Sequence, residues 1–252
     1  MALRGKSWRR VVLLVATTFV VLWLLAELAT PVMIWHEAKQ WGRDYPAVAL
    51  MPMMLTDTRV APLGDGVTIR RYGYSIHVPW AKTKVVKDFK TISSFGFDDG
   101  SSMLIFDPAD RTDLIGASTA AEPRNREALD IVLGRGNANS HYGAVRAALA
   151  ASPNDVSLFG SQERNVRAEV LLPMKMIEMP KDITVIYEIA HGSLRGYQFG
   201  DPGKAPTFVE LLLFDARDRG LKILFKGPPS RTTPVLTQAQ LNAIVASVQT
   251  PQ

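Results

Sequence analysis

The sequence predicts an α+β fold: one antiparallel sheet covered by helices, an αβα sandwich, carried behind an N-terminal transmembrane helix. Three observations predict it. Arg4, Lys6, Arg9 and Arg10 precede an apolar run from Val11 to Trp35 that contains one charge, Glu27, and about 20 apolar residues suffice to cross a bilayer. Short strand-like segments occupy both ends of the remaining chain. Helical apolar periodicity fills its middle and closes its C-terminus.

The anchor also explains the charge. Four basic residues and no acidic ones lie in the first ten, and taking those four from the net charge of +5 leaves +1 on the other 242 residues. Basic residues beside a span stay in the cytoplasm, so the excess reports orientation. The domain is then expected on the far side of a cell inner membrane, in the periplasm. A clustered basic face for nucleic acid is lacking. The apolar core exceeds that of a signal peptide and no A-x-A follows it, which predicts an uncleaved anchor. Arg9-Arg10 is a fragment of a twin-arginine signal that the following residues do not extend. There is no cysteine, which excludes disulfides, thiolate nucleophiles and cysteine-bound metals.

The chain divides into a basic tail (1–10), the anchor (11–35), a juxtamembrane linker (36–55) and one globular domain (56–252). Trp35, Trp41 and Tyr45 suit the headgroup region. Ala47 to Leu55, apolar with a central Pro52, is too short to span and fits a linker or first strand on the core, where methionines fill irregular gaps. Val67–Arg71 and Tyr74–Val78 read as strands around Gly73. Ile92–Phe97 and Met103–Phe106 flank the turn Asp98-Asp99-Gly100.

Helical spacing then groups Leu129, Val132 and Leu133, and next Tyr142, Val145 and Leu149. A third stretch after Gly160 sets Val166, Val170, Met174 and Ile177 in step, with Pro173 expected to kink or end it. Ile183 to Ile189 alternates, and Gly196 to Phe199 is a possible short strand. Phe208 to Phe214, apolar on both faces, is expected to be central. Leu221, Ile223 and Phe225 oppose Lys222 and Lys226. Thr237 and Gln240 form a capping box ahead of the stripe Leu241, Ile244, Val245, Val248.

The segment Tyr74-Ser75-Ile76-His77-Val78-Pro79-Trp80 resembles the Y-x-I-x-V-P-x-W element that opens PsbP-like and DcrB-like domains. Leu211 to Phe214 followed by Ile223 to Phe225 is similar to their late hairpin, and Ala243 to Val248 to their terminal I-x-x-S helix. The resemblance covers the strand-rich ends and not the middle, Ala117 to Met179. It implies an αβα sandwich used as an accessory or binding module, and it transfers no catalytic residue.

No constellation carries a specific chemistry. His36, His77, His141 and His191 are scattered, without H-x-x-x-H or H-E-x-x-H spacing. Asp107, Asp110 and Asp113 lack the EF-hand pattern and suit turn chemistry. Gly134-Arg135-Gly136 follows a helix, the context of a C-cap rather than a phosphate cradle. No serine sits in G-x-S-x-G. Arg164, Arg167 and Lys175, interleaved with Glu163, Glu169 and Glu178, read as a solvated mixed-charge face. The sequence therefore leads to no catalytic, cofactor-binding or metal residue, and to no cofactor. The expectation is a periplasmic binding, accessory or scaffolding module held to the bilayer through residues 11–35, with an envelope protein as partner. The alternatives are a tethered hydrolase using His77, His191 or the Asp107 cluster, or a carrier of a lipid or small ligand.

Overall fold

The computed structural model describes residues 17–18, 29, 31–108, 130–134 and 136–251. The basic tail, most of the anchor, Asp110, Asp113, Arg135 and the start of the helix expected from residue 127 lie outside them. Among the described residues no helix is long and apolar enough to cross a membrane.

The described chain enters as a helix, α1 (31–44). Its spacing buries Ile34 and Ala38 and half-buries Trp41 on one face, the i, i+4, i+7 pattern of a packed helix. Gly42 stands against Pro153, and Lys39 donates to Asn154 Oδ1 at 3.3 Å. A 3-10 turn (Pro46–Ala49) and a two-residue strand β1 (Met53–Met54) follow. Residues 36–55, expected as a linker, are thus helix, turn and strand resting on the domain.

The remaining strands are β2 (Val67–Arg71), β3 (Tyr74–Val78), β4 (Thr83–Asp88), β5 (Ile92–Phe97), β6 (Ser102–Phe106), β7 (Ile186–His191), β8 (Leu194–Phe199), β9 (Phe208–Phe214) and β10 (Gly220–Lys226). Among the described residues, further helices are α2 (His141–Leu149), α3 (Gln162–Glu178) and α4 (Gln238–Ser247), with a helical turn at 130–133. Among the described residues the main sheet runs β1-β7-β8-β9-β10-β6-β5-β4, and β2-β3 forms a separate hairpin. The fold is α+β, as expected, but the sheet is mixed. β1 lies parallel to β7, pairing Met53 with Tyr187 and Met54 with Glu188, because the chain reaches the sheet edge directly from α1.

Strand alternation feeds two cores. Ile186, Tyr197, Phe199, Leu212 and Phe214 pack against α1, α2 and α3. Met103, Ile105, Leu211, Leu213, Ile223 and Phe225 face the β2-β3 hairpin and α4 on the other side. β9 is central and buried on both faces, as its composition predicts. Its one charge, the buried Glu210, meets Lys222 Nζ at 2.5 Å, and Lys222 also lies 5.8 Å from the Phe106 ring centroid. In α4 the Thr237/Gln240 capping box forms and Leu241, Ile244 and Val245 are buried. Ser247 Oγ accepts from the His77 amide at 2.9 Å, fastening the end of α4 to β3.

Candidate functional site

Two helices on one face of the sheet frame a concavity. α2 starts at Ser140, whose Oγ accepts from Gly143 N at 3.0 Å. Its first turn is also capped from the sheet. Asp218, in the β9–β10 turn, accepts from the His141 amide and from Tyr142 N at 3.1 Å, placing a carboxylate where the helix dipole is positive. α3 starts at Ser161, which accepts from Arg164 N at 3.3 Å. The helix continues through Pro173 to Glu178, so proline does not end it.

Between α2 and α3 lies a cleft of about 350 Å³, floored by Ala147, Ala150, Ala151, Ala168 and Leu171. Small side chains on facing helices leave this space open. Asp155, Arg164 and Arg167 also line it, and Arg164 pairs with Asp155 at 3.1 Å. Ligand pockets span about 300–1,000 Å³, so the volume suits a small ligand. An apolar floor under guanidinium groups matches an anionic amphiphile.

Lys175 holds three segments together beside this cleft. It is 0 % exposed, and its Nζ donates to Ala151 O at 2.7 Å and Leu50 O at 2.5 Å. Burial pulls its ammonium down to about 8, with Asp155 opposing the shift. Glu178, one turn on, is 3 % exposed. Both were expected on a solvated face. The expected buried stripe of α3 is likewise displaced, with Val170 41 % and Ile177 60 % exposed while Ala168, Leu171 and Leu172 are buried. Ala168, Leu171, Leu172 and Lys175 are themselves an i, i+3, i+4, i+7 set, the signal that points to the true inner face.

A second polar node sits where α2 crosses the sheet. Tyr142 Oη donates to Glu188 Oε1 at 2.8 Å, its ring stacks on Tyr197 at 5.9 Å, and the Arg195 guanidinium lies 4.2 Å from its ring centroid. Burial pushes both phenols up, Tyr142 helped by its bond to Glu188 and Tyr197 by the neighbouring Tyr142. Of the two hydroxyls, that of Tyr142 is the donor fixed by the bond to Glu188.

The four histidines fall on α1, β3, α2 and β7. His36 is exposed on α1. His77 Nδ1 is 3.1 Å from Thr68 Oγ1, and the His141 ring meets Phe214 edge-on at 5.1 Å. His191 borders a cavity of about 160 Å³ with Met54, Leu55, Gln198 and Asn242. Asp107 follows β6, its amide donating to Thr91 O at 2.8 Å. Among the described residues no group of three or more His, Cys, Asp or Glu is placed to hold a metal ion. Gly134, after a helical turn, has φ +86°, the left-handed value a C-cap needs.

Comparison with protein-family models, with curated proteins and with solved structures finds no match for this chain.

Proposed function

We propose that this chain is a single-pass protein of the cell inner membrane, with its N-terminus cytoplasmic and its α+β domain periplasmic, working as a binding or accessory module of the envelope. The observation that carries this reading is α1. The apolar run to Trp35 leads into a helix that buries Ile34 and Ala38 in the domain core, so the domain is built onto the segment that would anchor it. The four basic residues ahead of that run support the orientation. The resemblance of Tyr74–Trp80 to PsbP-like and DcrB-like openings supports a module acting without catalysis.

A chain without cysteine makes the test direct. Ser7→Cys and Ser230→Cys are labelled separately in intact spheroplasts with a membrane-impermeant maleimide. Labelling of position 230 alone, with the protein retained in carbonate-washed membranes, is the expected result. Labelling of position 7 alone overturns the orientation, and release by carbonate overturns the anchor. Crosslinking in intact membranes then identifies the partner, and capture of no protein argues against a scaffolding role.

The α2–α3 cleft favours a second reading, a carrier of a small anionic amphiphile. Native mass spectrometry of the detergent-purified chain tests it. A bound species lost in Arg167→Ala supports it, and an unliganded chain under gentle extraction opposes it.

A further inference from the structure

We propose that the Leu158-Phe159 turn is a membrane-contacting finger that sets its tip among the lipid headgroups of the bilayer holding the chain. This rests on the anchor reading above. Phe159 is 98 % exposed and Leu158 beside it 39 %. Yet the turn that presents them is rigidly made. Asn165, 2 % exposed, accepts from Ser157 N at 3.2 Å and donates to Ser157 O at 2.9 Å. Gly160 N donates to the same carbonyl at 3.0 Å, and Phe159 N to Ser157 Oγ at 3.3 Å. A buried amide thus clamps the base of the turn, and its tip is held out in water.

The turn is tethered to the segment that leads toward the bilayer. Gly42 packs on Pro153 and Lys39 bonds Asn154, so α1 runs alongside the 153–155 turn. Phe159 comes five residues after Asn154, which keeps it within about 18 Å of that contact. Val32 and Met33, at the start of the described part of α1, are exposed apolar residues, about 10 Å along the helix from Lys39. Basic residues lie near the turn, Arg164 and Arg167 on α3 and Lys39 on α1, with Arg164 already paired to Asp155. Interfacial segments combine these features, apolar tips flanked by basic residues. A protein pocket would also accept a phenylalanine. The bilayer is favoured because the proposed anchor would hold the whole domain close to it, and a high effective concentration populates even a weak contact.

The absence of cysteine supplies the test. Phe159→Cys, Leu158→Cys and Ser230→Cys, each in the full chain, carry an environment-sensitive nitrobenzoxadiazole dye. They are reconstituted into phosphatidylcholine–phosphatidylglycerol vesicles. The expected result is blue-shifted emission at 158 and 159, quenched at least about twofold by headgroup-region spin-labelled lipid, with position 230 unaffected. If 159 and 158 are as open to aqueous iodide as 230 while the chain resists carbonate, the finger is wrong and the anchor stands. Shielding from iodide without quenching by lipid also overturns it, in favour of a protein contact. Release of the chain by carbonate removes the anchor and the finger together.

Discussion

Tyr142 Oη lies 2.8 Å from Glu188 Oε1, joining the first turn of α2 to a strand near the edge of the sheet. The bond is charge-assisted, and burial of the phenol sharpens it. Tyr142→Phe keeps the ring against Tyr197 and removes only the donor, so a loss of about 1–2 kcal/mol is expected. Urea denaturation measures it. Tyr142→Ala also removes the stack and leaves a cavity, and should cost about 3–5 kcal/mol. Equal losses for the two variants would mean that the hydroxyl contributes the whole effect.

Lys175 offers a pH signature. Its value in the fold, about 8, lies below the ordinary 10.5. Between those values the unfolded chain binds more protons than the folded one, so stability rises with pH across that window and this contribution is flat below it. Lys175→Met abolishes the slope. It also strips a donor from Ala151 O and Leu50 O, and should cost about 1–3 kcal/mol at pH 7. Thermal melts of both proteins from pH 7 to 10 check this, and parallel curves would count against it.

Asp218 separates charge from geometry at the α2 N-terminus. Its φ of +61° is left-handed, a conformation that asparagine tolerates. Asp218→Asn therefore keeps the turn and removes the charge facing the helix dipole and Arg195, 3.7 Å away. The expected loss is about 1 kcal/mol at low salt. It should shrink in high salt as screening grows, which paired melts at two ionic strengths will show. A loss independent of salt would assign the role of Asp218 to hydrogen-bond geometry alone.

Gly196 pairs with Leu213 where β8 lies against β9. A Cβ there would stand 1.9 Å from Leu212 O, a backbone atom that cannot swing aside. Gly196→Ala should cost about 3 kcal/mol or more, since the strands must part to admit it. Chemical denaturation measures the loss, and a near-neutral substitution would mean that the β8–β9 pairing is looser than its register indicates.

Where local rules suffice, the fold was legible. Tyr74–Val78 forms the strand its composition predicts, with Tyr74, Ile76 and Val78 buried, and the capping box located α4. The failures have a common physical origin. α3 shows Val170 and Ile177 to solvent and buries Ala168 and Lys175, because close helix packing selects small residues, and two carbonyls distant in sequence make a buried ammonium tolerable. β4 is an edge strand whose register shifts between Val85 and Lys87, so Thr83 to Asp88 carries no clean alternation. β1 is two residues long and pairs with a strand more than a hundred positions away, which no local pattern encodes. The cleft arises from two helices meeting through alanines, a relation between elements. Of the Asp107 cluster, only Asp107 lies among the described residues, directly after β6.

The seating of α1 has a mechanical consequence. Twenty flexible residues between membrane and domain would let the domain sweep a sphere with a root-mean-square reach of about 25 Å. A helix wedged by Ile34, Ala38 and Trp41 instead passes torque and tilt straight into the core. Anything that rotates or leans the entering helix turns the cleft and the Phe159 tip with it, as a turret turns on its shaft. Under the anchor proposed above, the domain and its span would turn and tilt as one body.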